Sequence, residues 1–152
     1  MKTMVAAVGK LRPAFREACD EYLARLRRYG EVVERELKEA PASQSAVEQL
    51  RDEGRRLLDA MPERAIVVAL DRLGEAWTSE ELATRLERWR VAARPVVLAV
   101  GGSRGLDQPV LERAGHRWSL GPLTLPHELA RVVVVEQWYR AWTIIRGEQY
   151  HK

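Results

Sequence analysis

Five side chains towards the end of the chain are of types that move protons, meet phosphates or stack on bases. His127 opens a long apolar stretch, and Glu136 and Arg140 stand four residues apart inside it. Tyr150 and His151, followed by Lys152, close the chain. Residues four apart share a helix face, so Glu136 and Arg140 are read as an ion pair or a joint binding surface. The tail joins an aromatic ring, an imidazole that titrates near neutral pH and a cation, a set suited to a base, a proton and a phosphate. A second group of candidates is built on glycine. Gly101-Gly102-Ser103-Arg104-Gly105 breaks off an apolar run, and Gly121-Pro122-Leu123-Thr124-Leu125-Pro126 leads into His127. Glycine lets a ligand come close to the main chain.

Other chemistries fit poorly. The order of glycines matches neither the dinucleotide fingerprint nor a phosphate loop. Three histidines and one cysteine, without paired spacing, make a poor ligand set, so no metal is expected. The G-x-S-x-G turn of a nucleophilic serine is absent. What remains is a reaction whose driving energy is carried by a cofactor or the substrate.

These residues need elements to hold them. Residues 3–8, 65–70 and 95–100 are apolar runs, the latter two continuous as in strands buried on both faces. Residues 117–120 form a further short strand, and Val32, Val33 and Leu37 a mixed, edge-like one. Helices are expected from Pro13 to near Gly30, over 45–61, from the Thr78/Glu81 capping box through Trp89, over 109–114 and over 127–145. Residues 71–77 read as a loop. Strands alternate with helices, which gives an α/β fold with a mainly parallel sheet in a single domain over 1–152. Ligands of such sheets bind at the carboxyl ends of strands, where Leu70 and the two glycine-bearing loops lie. The last helix is apolar on nearly every side, and a homodimer interface, with Trp138 and Trp142 in it, would cover the excess.

Composition sets the frame. The 152 residues are 46% hydrophobic, enough for a core, and no apolar run reaches the length of a membrane span. The single cysteine, Cys19, excludes an intrachain disulfide and suits a reducing cytoplasm. A net charge of +3, with only four lysines among 25 cations, permits RNA binding through arginine without requiring it.

Four segments together resemble one family. Val100-Gly101-Gly102-Ser103-Arg104-Gly105-Leu106 is similar to the "(I/V)GG-x-x-GL" loop of the ribosomal large-subunit pseudouridine methyltransferase H family, of the knotted SPOUT class. Leu123-Thr124-Leu125-Pro126-His127 resembles its "LTLPH" segment, residues 131–142 its "RV-x-x-x-EQ-x-YRA" helix, and Tyr150-His151-Lys152 its terminal "YH(R/K)". The early "AVGK" and Leu70-Asp71 extend the likeness over essentially the whole chain. Ser103-Arg104 stands where some members have Pro-Glu, and Gly121-Pro122 where others have small polar residues. The resemblance implies a C-terminal trefoil knot, a homodimer, and S-adenosylmethionine held by the three strand-end loops. It further implies methylation of N3 of a pseudouridine in the helix 69 loop of 23S rRNA, on assembled ribosomes. The N3 proton must leave, with His127, Glu136 and His151 as candidate bases. A tRNA-modifying SPOUT enzyme and a non-catalytic ribosome-binding factor are the alternatives.

Overall fold

The computed structural model describes residues 1–152. Five parallel strands, β1 (Lys2–Val8), β2 (Glu31–Leu37), β3 (Ile66–Ala76), β4 (Val96–Val100) and β5 (His116–Ser119), stand in the order β2-β1-β4-β3-β5. Between and after them run α1 (Pro13–Leu26), α2 (Ala46–Ala60), α3 (Ser79–Val91), α4 (Gln108–Arg113) and α5 (His127–Ile145).

Alternation along the strands sorts the helices onto two faces. Val5, Val68, Val96 and Leu98 point to one side, where Leu23 and Leu26 of α1, Leu82 and Leu86 of α3, and Val135 and Trp138 of α5 meet them. Met4, Ala6, Val8, Val67 and Ala99 point to the other, against Leu57 of α2 and Val110 of α4. The helix starts follow local chemistry. Ser45 with Glu48, and Thr78 with Glu81, close complete capping boxes, and Pro13 occupies the first turn of α1.

The α/β class, the parallel sheet, the edge position of β2 and the bounds of α5 agree with the sequence reading, but three features do not. Helix α1 stops at Leu26, with Tyr29 N–H bonding the Leu26 carbonyl in a turn before Gly30. Residues 71–76 are a continuation of β3 rather than a loop: both Leu70 and Glu75 pair with Trp118, so the residues between them bulge out before the ladder resumes. A side chain at Gly74 would lie 2.5 Å from the Arg117 carbonyl oxygen, and only glycine allows the bulge to close there. Trp138 and Trp142, expected at a dimer interface, are 0% and 3% exposed within the single chain. α5 lies between α1 and α3, which cover its flanks. The Trp138 indole donates to Thr3 Oγ1 (3.2 Å) and stacks on Trp89, while Trp142 stacks on Tyr29.

Candidate active site

A cavity of about 510 Å3 opens at the carboxyl ends of β3, β4 and β5. Its wall is largely apolar: Leu70, Val100, Leu106, Trp118, Leu120 and Leu125. Asp71 and Arg72 from the β3 bulge, Ser103 and Arg104 from the glycine loop, Thr124, and His127 at the start of α5 are the polar groups on it. The size, and the few polar groups on an apolar wall, suit a small organic cofactor.

The glycine loop is shaped by backbone contacts. Gly105 N–H donates to the Gly102 carbonyl at 3.0 Å, and a side chain at Gly101 would overlap the Gly105 carbonyl. Gly102 differs. A side chain there would point at Val8 (3.3 Å) and the buried Glu53 carboxylate (3.5 Å), behind the loop, so its main chain and not its side-chain direction meets the cavity. Ser119 Oγ accepts from Gly121 N–H (3.2 Å) and turns the chain from β5 into the third loop.

Of the sequence-derived cofactor residues, Leu70, Gly101, Gly102, Leu123, Thr124 and Leu125 share this wall. Gly121, Pro122 and Pro126 do not reach it and serve the path of the loop, Pro126 as the residue capping α5. The bulge residues Asp71 and Arg72 fall in a segment expected among the cofactor-holding loops but were not named as site residues, although they form a polar pair directly after a buried apolar run. Trp118 was missed because it reads as an ordinary core residue.

The candidate catalytic residues fall into two groups. His127 borders the cavity. Glu136 lies nine residues further along α5, about 13 Å at the helical rise. Glu136 Oε1 accepts from Arg140 Nε (3.0 Å), from a second guanidinium nitrogen (2.6 Å) and from the Tyr150 hydroxyl (2.9 Å). The Arg140 guanidinium lies 4.7 Å from the centre of the Tyr150 ring, and His151 Nδ1 is 3.3 Å from it. Burial, and then the bonds to Tyr22 and Glu136, push the Tyr150 phenol well above its usual range. The hydrogen bond to Glu136 raises the Arg140 guanidinium further. Glu136, Arg140, Tyr150 and His151 are therefore one assembly, separate from the cavity of their own chain.

A charged residue inside the apolar run of α5 was also overlooked. Arg131 is 1% exposed, donates to Glu34 (3.1 Å) and Glu36 (2.6 Å) on β2 and to the Gly9 carbonyl (2.9 Å) after β1. Arg16 holds the other side of Glu34. Glu128 accepts from the Arg12 main-chain N–H and guanidinium, in that order the causes of its lowered carboxyl pKa. Together these contacts fix the first turns of α5 against the ends of β1 and β2.

Fold and cavity together describe a parallel α/β protein with a strand-end ligand site. Residues 1–151 match the family model described as "Predicted SPOUT methyltransferase", and the chain belongs to the SPOUT methyltransferase family. It is 51% identical to the "Ribosomal RNA large subunit methyltransferase H" of Rubrobacter xylanophilus, covering 99% of this chain and 98% of that protein. Proteins of the same name from an Anaeromyxobacter species (46%) and Pseudomonas putida (42%) align over the full length of both chains. In overall fold the chain is similar to a probable methylase family protein from Haemophilus influenzae, with a TM-score of 0.54 at 10% identity over 99% of this chain and 70% of that one.

Proposed function

We propose that this chain is an S-adenosylmethionine-dependent methyltransferase that acts on N3 of a pseudouridine in the helix 69 loop of 23S rRNA. It works as a homodimer, in the cytoplasm, on assembled ribosomes. The observation that carries this reading is the apolar strand-end cavity, lined by the glycine loop and the 123–125 segment, in a chain of this family with end-to-end likeness to large-subunit rRNA methyltransferases.

The cavity fits the cofactor. Leu70, Leu120 and Leu125 offer apolar surface to a purine, and the main chain at Gly102 and the 123–125 segment offers amides and carbonyls. Asp71 supplies a carboxylate for the cationic end and Arg72 or Arg104 a guanidinium for the anionic one. When bound, the cofactor supplies a methyl group already activated on a sulfonium. The chain's own residues then hold the nucleotide in line, exclude water and accept the N3 proton. His127 is on the wall, whereas the Glu136–Arg140–Tyr150–His151 assembly lies outside it and reaches a cavity through the partner subunit. Several features support such a dimer: Leu73 and Leu123 are 85% and 76% exposed at the cavity, and Val132 and Val133 of α5 are only half covered. The return of the chain from the β5 edge to α5, lying over β1 in the middle of the sheet, suits the knotted connection of the SPOUT class.

The test is incubation with methyl-labelled cofactor and ribosomes lacking the modification, beside bulk tRNA, followed by mapping of the labelled nucleotide. Label at the helix 69 pseudouridine is expected. Label confined to tRNA, or none with either RNA, overturns the proposal.

A further inference from the structure

The tail is held at three points. Glu148 bonds Tyr29 and Arg28, Tyr150 bonds Glu136 and Tyr22, and His151 Nε2 lies 2.7 Å from Oε1 of Glu80. The last contact alone comes from α3, from a residue in its first turn that is 71 positions distant in sequence.

The other imidazole nitrogen faces Arg140 at 3.3 Å. A guanidinium has donors and no lone pair, so Nδ1 must be the acceptor of that contact. The ring proton then sits on Nε2, where the Glu80 carboxylate receives it. The hydrogen bond from His151 is the leading cause that keeps the Glu80 carboxyl below its usual range, so the acceptor is ionised near neutral pH. Glu80 and His151 are 64% and 25% exposed at the side chain, a setting in which even a charged pair adds little stability and a bond from a neutral ring adds no more. The consequence is orientation: which imidazole nitrogen carries the proton is set by the bond the other atoms make.

We propose that Glu80 is a positioning residue for His151, holding the ring as the Nε2–H tautomer with the Nδ1 lone pair turned to Arg140. This rests on the reading that the tail takes part in methyl transfer. It adds a residue on α3 that touches neither the cavity nor the rest of the assembly. Glu80 acts through His151 alone, so its removal matters only while His151 is present.

The experiment compares Glu80→Ala, Glu80→Gln, His151→Ala and the Glu80→Ala/His151→Ala double variant in methyl transfer to ribosomes lacking the modification. The imidazole Nε2–H resonance of His151 is followed in parallel by 15N NMR on the full-length protein. Glu80→Ala should lower kcat about tenfold or more, as loss of an orienting partner does, with the ribosome KM within about twofold. Glu80→Gln, which keeps an acceptor oxygen, should recover most of the rate. In the His151→Ala background Glu80→Ala should cost nothing further, because coupled residues are not additive. The slowly exchanging Nε2–H signal should be present in the parent and Glu80→Gln proteins and absent from Glu80→Ala. Wild-type kcat in Glu80→Ala beside an inactive His151→Ala overturns the assignment of Glu80 while leaving the tail its role, and so do additive losses. A fully active His151→Ala overturns the role of the tail, and this proposal with it.

Discussion

Arg131→Ala should be among the most destabilising single substitutions in this chain. The arginine is almost wholly buried and joins two carboxylates of β2. Truncation leaves the Gly9 and Val8 carbonyls without their guanidinium donor and strands Glu36, whose remaining cation, Arg16, is 3.4 Å away and shared with Glu34. Breaking a buried ion pair from one side costs about 3–5 kcal/mol. Against a total stability of about 5–15 kcal/mol for a domain, that is about a fifth of the whole or more. With a urea m-value of about 2 kcal/mol/M, the midpoint should fall by about 2 M. The assay is urea unfolding followed by tryptophan fluorescence at one fixed protein concentration, since any association would shift the midpoint as well. Arg131→Lys, which keeps charge but loses the planar fork, should fall between the two. A loss under about 1 kcal/mol for Arg131→Ala would refute the reasoning, because it would place the network in the class of exposed pairs.

Gly101→Ala should abolish S-adenosylmethionine binding in calorimetry, because its Cβ overlaps the Gly105 carbonyl, whereas Gly102→Ala, facing Val8 and Glu53, should keep measurable affinity. Deleting residues 150–152 should abolish methyl transfer to ribosomes yet leave cofactor affinity within about threefold, since the tail lies outside the cavity. His116 is packed against Trp77 and Trp89, and burial, then Arg85, lower its pKa from 6.5, with Glu75 opposing. The unfolded chain thus binds the extra proton first, so stability is full above pH 6.5 and declines as pH falls below it. Thermal melts between about pH 7 and 5 should show this decline in the parent and a flatter profile in His116→Phe.

Much of the fold was legible because local chemistry and burial agree. α5 begins at His127 after a proline-ended loop, the first part of β3 and all of β4 are apolar on both faces, and the Thr78/Glu81 capping box fixes the start of α3. What escaped depends on distant parts of the chain. The β3 bulge is visible only through its pairing with β5. The tryptophans of α5 looked like excess apolar surface because nothing in the sequence says that α1 and α3 close over both flanks. Arg131 was lost in a run of valines because its partners come from β2, almost a hundred residues earlier. In the site, the wall was partly foreseen from glycines and the 123–125 segment, whereas the Glu80–His151 contact joins two elements with no common motif.

The seating of Trp138 on Thr3 has a consequence for how the protein is made. The two residues are 135 positions apart, and β1 lies inside the sheet, with β4, nearly a hundred residues downstream, as one of its neighbours. The first strand therefore leaves the ribosome long before its cover exists. At about 5–20 residues per second the wait lasts from several seconds to about half a minute. Until β4 has been made, Val5 and its neighbours have only α1, α2 and β2 to shelter them, and the Trp138 face waits longer still. Contacts of such separation slow the search for the native state and leave sticky strands open to wrong partners. A nascent chain of this protein thus keeps its first strand incompletely covered until the final helix has been synthesised and docked.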